Sequence, residues 1–184
     1  MARDLTRDRV TQKAAELINQ LGDTKQLKLK DLAAALNIKV PSLYNHVKGL
    51  DGLMEAIHLQ EVKKFEKLMR EAMMGKTGRE ALLAAAHSYR AYARANPGVY
   101  ELAISINTTN KEIEEVSNNI VSLLVLILGS LGLAGDEAYH AVRGFRSVLH
   151  GFVSLELSGG FQMDLDLDES FAKLVGNFLQ GISK

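Results

Sequence analysis

The run KLKDLAAALNIKVPSLYNHVK, residues 28–48, holds two short helical patterns separated by a break. Leu29, Leu32, Ala33 and Leu36 recur at helical spacing, and Asn37-Ile38 interrupts them. Asparagine tolerates the left-handed backbone that a tight helix exit needs. Pro41 follows, where a first helical turn accepts proline, and leads a short helix through Ser42, Leu43, Tyr44 and Val47. Two short helices joined by a tight turn read as a helix-turn-helix. Leu32, Ala33, Leu36, Ile38 and Leu43 can form its core, and three consecutive alanines let the helices approach closely. Lys39, Ser42, Tyr44, Asn45, His46 and Lys48 are left facing outward.

Those outward types suit DNA. Lysine ammoniums and the donors of Tyr44 and His46 can hold phosphates and fix register, while Ser42 and Asn45 can bond base edges. Val40 and Pro41 can pack on thymine methyls. Any short corner of two helices with a polar outer face shows the same pattern, so spacing alone leaves that reading open as well.

Outward from this stretch the chain is all-α. Only two prolines occur, and helical spacing recurs almost throughout. Val10, Ala14, Leu17, Ile18 and Leu21 make one apolar stripe, with Thr6 as its cap and Gly22 as its stop. Gly49 closes the helix-turn-helix, and Asp51 is positioned to cap a long helix carrying Leu53, Ile57, Val62, Phe65 and Met69. Met69, Met73 and Met74 read as gap-filling core. After the break Gly75-Lys76-Thr77-Gly78, helices are predicted near 79–95, 98–106, 111–131, 136–158 and 168–182. The whole amounts to about nine helices in two domains, 1–50 for the DNA-facing unit and 51–184 for a larger helical body.

Composition supports a packed globular chain. Its 184 residues are 47% hydrophobic and contain no cysteine, which removes disulfides, thiolate zinc sites and cysteine nucleophiles together. The start MARDLTRDRV lacks the apolar run of a secretory signal. The uncharged stretch from Ile120 to Gly135 is shorter than the roughly 20 residues of a membrane span and reads as a buried helix. These features predict a cytoplasmic protein. Net charge is zero, but residues 1–50 hold nine Lys/Arg against five Asp/Glu, so a basic end is joined to an acidic body.

No catalytic, metal or cofactor chemistry is predicted. Gly75-Lys76-Thr77 imitates a phosphate loop, yet Arg70 stands where its first glycine belongs, and a helix precedes it. Asp164, Asp166 and Asp168 begin like a calcium loop, but Glu169 occupies the glycine position. His140 and His150 have no carboxylate at metal-ligand spacing, and no G-x-S-x-G elbow is present.

The stretch LKLKDLAAALNIKVPSLYNHVKGLDGLMEAI resembles the DNA-binding domain of the TetR family of bacterial repressors, most specifically through Leu43-Tyr44-Asn45-His46-Val47-Lys48. Tyr89-Arg90-Ala91-Tyr92-Ala93, Asn96-Pro97-Gly98-Val99-Tyr100 and the run from Leu149 to Glu156 are similar to a regulatory domain of that family. The resemblance implies phosphate contacts from Tyr44, His46 and Lys48, and base contacts from Lys39, Val40, Pro41, Ser42 and Asn45. The chain departs from the family at Lys28, where threonine is frequent and a cap is exchanged for a phosphate-binding cation. Leu50 replaces a frequent lysine, and Asn37 replaces the usual glycine of the turn.

The resemblance further implies a ligand-responsive transcriptional regulator acting as a homodimer, with two recognition helices about 34–36 Å apart on double-stranded DNA. Phe152, Val153, Leu157, Phe171, Leu174 and Phe178 of the last two helices would form the dimer interface; the alternative is that they complete the monomer core. An unidentified small-molecule effector would meet Leu123 and Ile127 with polar neighbours among His87, Tyr89, Tyr100, Asn119, Arg143 and His150. A lone His or Tyr in a helical core is more often a hydrogen-bonded core residue than a ligand contact. The competing classes are a helical small-molecule-binding protein or enzyme whose N-terminal unit does not bind DNA, and a protein-interaction module.

Overall fold

In the computed structural model, residues 5–106 and 108–182 are described, and they fold into nine α-helices. The chain packs as two compact units, Met1–Lys64 with Asn96–Glu114, and Phe65–Ala95 with Glu115–Lys184.

The first unit begins with α1, Arg7–Leu21. The Thr6 hydroxyl accepts the Arg9 amide at its start, and Gly22, at φ 80°, ends it by donating to the Ile18 carbonyl. A single 3-10 turn, Thr24–Gln26, leads to α2, Leu29–Ala35. Asn37 then takes φ 54°, the left-handed conformation expected of it, as Ile38 N–H returns to the Ala33 carbonyl. Helix α3 is only Val40–Leu43, shorter than predicted. Beyond it the chain tightens into turns, with His46 and Val47 both donating to the Leu43 carbonyl.

Helix α4, Gly49–Met73, is 25 residues long and starts two residues before Asp51. Asp51 therefore lies in the first turn and does not cap; its charge faces the positive end of the helix dipole. The first unit also receives α6, Tyr100–Ile104, and the start of α7, Lys111–Gly129. Its core joins Val10, Ala14 and Ile18 to Leu32, Leu43, Val47, Leu53, Ile57 and, from far along the chain, Val99.

The second unit holds α5, Gly78–Ala95, α8, Asp136–Leu157, and α9, Leu167–Ile182, with the later parts of α4 and α7. Aromatic rings dominate its packing. Phe65 meets Tyr89 and Tyr92 at 5.4 and 5.1 Å, and Phe152 meets Phe161 and Phe171 at 4.8 and 5.1 Å. Met69 and Met73 are buried as predicted, whereas Met74 is 67% exposed at the helix end. No described helix is long and apolar enough to cross a membrane.

Candidate nucleic-acid interface

The turn and α3 are set by what lies beneath them. Leu32 and Leu43 are fully buried and Val47 nearly so, so one side of this short segment is fixed to α1, α2 and α4. Period and turn geometry then force Lys39, Pro41, Tyr44, Asn45 and Lys48 outward, where all are exposed; Tyr44 is 58% exposed despite its ring. The side chains of Lys39, Tyr44, Asn45 and Lys48 make no hydrogen bond or ion pair among the described residues. Ser42 and His46 are half-buried. Val40 is too, turning partly onto the unit's core, which reduces the surface it has for a thymine methyl. Lys28 is exposed at the start of α2 and makes no side-chain cap.

An exposed apolar ring among cations and amides, standing on a rigid apolar base, is a surface for phosphates and base edges. No group of three or more metal-ligating side chains occurs among the described residues.

The residues predicted to line an effector pocket fall in both units. Tyr100 belongs to the first unit, where it is buried. In the second unit Tyr89 and Ile127 are buried and Leu123 is half-buried, but His87, Asn119 and Arg143 are exposed. His87 lies edge-on to Phe171 at 5.8 Å, and His150 Nε2 lies 3.4 Å from the Ser154 hydroxyl. Two grooves, of about 500 and about 350 Å³, open on the first unit, and neither is lined by any of these residues.

Of the predicted dimer residues, Phe152, Val153 and Phe171 are already buried within one chain, because α5, α8 and α9 close over them. Phe178 packs on Phe145 at 5.9 Å. Leu157 and Leu174 remain exposed, with Leu155 beside Leu157 in sequence and exposed as well.

Sequence reasoning missed Arg90 and Glu156 as a buried pair. The Arg90 guanidinium is buried and lies 4.8 Å from the Phe171 ring centre, with Glu156 and Asp168 as its carboxylate partners. A charged residue standing in each of two apolar stripes was the available signal. His58 was missed as well: it is buried on α4, with Nε2 3.1 Å from the Ser105 carbonyl. Burial lowers its pKa, and the backbone hydrogen bond opposes that shift.

Among the described residues, helices alone make the regular structure, and a short outward helix on a three-helix base is the helix-turn-helix form. A family model described as "Tetracyclin repressor-like, C-terminal domain" matches residues 82–178. The chain is 35% identical to the uncharacterized HTH-type transcriptional regulator YobS of Bacillus subtilis (strain 168), over 97% of this chain and 93% of that one. It is 30% identical to the uncharacterized HTH-type transcriptional regulator Rv0681 of Mycobacterium tuberculosis (strain ATCC 25618 / H37Rv), covering 98% and 83%. Its fold is similar to that of a TetR variant from Acinetobacter baumannii AYE solved in complex with minocycline, with TM-score 0.73 and 19% identity, covering 97% and 96%. The chain belongs to the TetR family of transcriptional regulators.

Proposed function

We propose that this regulator is a ligand-responsive repressor that binds a palindromic operator as a homodimer. The observation that carries the DNA reading is the exposed set Lys39, Tyr44, Asn45 and Lys48, unpaired among the described residues, above a fully buried Leu43. In this reading Tyr44, His46, Lys48 and Lys28 hold phosphates, while Lys39, Pro41, Ser42 and Asn45 meet base edges, with a lesser share for Val40. No residue is given a catalytic role, and the site of action is the cytoplasm, with the DNA.

Pairing is assigned to the exposed edges of α8 and α9, with Leu157 and Leu174 at the contact and Phe152, Val153, Phe171 and Phe178 supporting it from within. One recognition segment makes few contacts, so a two-fold pair is the arrangement that gives operator affinity. Effector response is supported by the minocycline bound to the Acinetobacter protein, and Tyr89, Leu123 and Ile127 are the buried or half-buried candidates here. An effector acts only through a difference in affinity between two conformations.

Gel retardation with the DNA upstream of the protein's own coding region, at stated salt, tests the reading. A retarded band that weakens with salt is expected. A folded dimer that retards no DNA at low salt would falsify it.

A further inference from the structure

The first unit contains a joint that neither DNA contact nor effector binding explains. Asn19, near the end of α1, accepts two backbone amides with one oxygen: Gly98 N–H at 3.0 Å and Val99 N–H at 3.2 Å. On the other side of the same turn, Lys64 of α4 donates to the Asn96 side chain at 2.8 Å. The turn Asn96–Val99 is thus a bridge with one foot on α1 and the other on α4.

Its fit on α1 is close. A Cβ on residue 98 would lie 2.2 Å from the Ile18 carbonyl oxygen and 2.6 Å from its carbon. Both are backbone atoms of a helix and cannot swing aside, so only glycine allows this approach. Val99 then enters the core that holds Leu32 and Leu43, and Leu102 packs against it.

Val10, Ala14 and Ile18 of α1 share an apolar core with Leu53 and Ile57 of α4, but beside the turn the two helices part. A groove of about 350 Å³ lies between them beside the turn, lined by Gln12, Ala15, Glu16 and Asn19 on one side and Gln60, Glu61 and Lys64 on the other, with Asn96 of the turn at its edge. Polar side chains facing a groove give α1 little apolar packing against α4 there. The turn supplies a hydrogen-bonded connection across that gap. It is also the point where the chain passes from α5, which ends at Ala95 in the second unit, into the first unit.

We propose that the Asn96–Val99 turn is a positioning element for DNA recognition, setting α1 against α4 and through the shared core fixing α3. Withdrawing it, or breaking its bond to Asn19, loosens α3 without touching any DNA-contacting residue. This rests on the reading that α3 faces DNA, and two measurements on the full chain separate the two ideas.

The first is residue-resolved hydrogen exchange without DNA, on the wild type, Asn19→Ala and Asn19→Asp, each shown to be folded by circular dichroism. Asn19→Ala removes the acceptor, and exchange should rise about tenfold both at 98–103 and at 32–47. Asn19→Asp keeps an acceptor oxygen and should restore protection. Acceleration confined to 98–103, or an aspartate variant no better than alanine, overturns the proposal. The second is affinity for the upstream DNA: Asn19→Ala should bind about fivefold to tenfold more weakly, and Asn19→Asp within about twofold of wild type. An Asn19→Ala protein with unchanged affinity also overturns it. If the wild type itself retards no DNA, the repressor reading fails, and the exchange result alone decides whether the turn controls α3. Gly98→Ala is a harsher probe that risks misfolding, so the asparagine pair carries the decision.

Discussion

Arg90 and Glu156 form a two-pronged ion pair in the second unit, with Nε 2.8 Å from one carboxylate oxygen and a terminal nitrogen 2.7 Å from the other. Their side chains are 7% and 10% exposed. Asp168 at the start of α9 takes the remaining terminal nitrogen at 2.8 Å, and the guanidinium plane also lies near the rings of Phe152 and Phe171. One side chain of α5 therefore ties α8 and α9 together. The Glu156 hydrogen bond is the largest cause holding the Arg90 pKa above its ordinary value, so the guanidinium stays charged.

Arg90→Ala is expected to destabilise the fold by about 3 kcal/mol, because it removes the two-pronged partner of the largely buried Glu156 carboxylate and leaves it only the longer 4.0 Å contact with the Arg94 guanidinium. The double change Arg90→Met with Glu156→Leu should recover most of that loss, since no buried charge remains. Denaturant unfolding of the three proteins checks both, and equal losses in the single and double variants would contradict the account.

Stability should fall in mild acid through His58. Its folded pKa lies below 6.5, chiefly because burial disfavours the charged ring. Above 6.5 the ring is neutral in both states and adds no pH dependence. As pH drops below that value the unfolded chain takes the proton first, and folding loses at most about 1.4 kcal/mol per pH unit. His58→Gln should have a flatter profile than the wild type below about pH 6.5, measured as the difference between their unfolding curves.

Asn37, at φ 54°, is a second probe. Asn37→Gly should leave stability within about 0.5 kcal/mol of wild type, whereas Asn37→Ala should cost about 1–2 kcal/mol. Thermal melts read the difference. An alanine variant as stable as glycine would remove the left-handed turn from the explanation of this corner.

On DNA, Tyr44→Ala should weaken all sequences by one common factor, as loss of a phosphate contact does. Asn45→Ala should instead change which base is preferred, by roughly 1–3 kcal/mol at that position. Lys48→Ala should lower the slope of log affinity against log salt by about one. Competition binding at several salt concentrations distinguishes the three patterns.

The local rules were legible in the sequence. Thr6, Gly22, Asn37 and Pro41 each stand where the chain demands them, because caps and turns depend on neighbours only a few residues away. Helical spacing also told which side of each helix is apolar. It could not tell what covers that side. Phe152, Val153 and Phe171 therefore looked available to a second chain, although packing among α5, α8 and α9 already buries them. The outward direction of Tyr44 and Asn45 was readable from period alone, while the half-burial of Val40 depends on a core assembled from distant segments. Asn19, one polar residue beside an apolar stripe, gave no hint of a partner 79 residues away.

That distant partner bears on the order in which the protein is made. The helix-turn-helix leaves the ribosome before Val99, and its core lacks that residue until about fifty more have followed, a delay of several seconds at about 5–20 residues per second. Until then the Val99 site on α1 is open and apolar. A nascent chain stopped after Met74 should accordingly show weak protease resistance across residues 7–47, and one extended past Ile104 should gain it. A helix-turn-helix that matures only when a later part of its own chain arrives is a poor candidate for grafting onto other bodies.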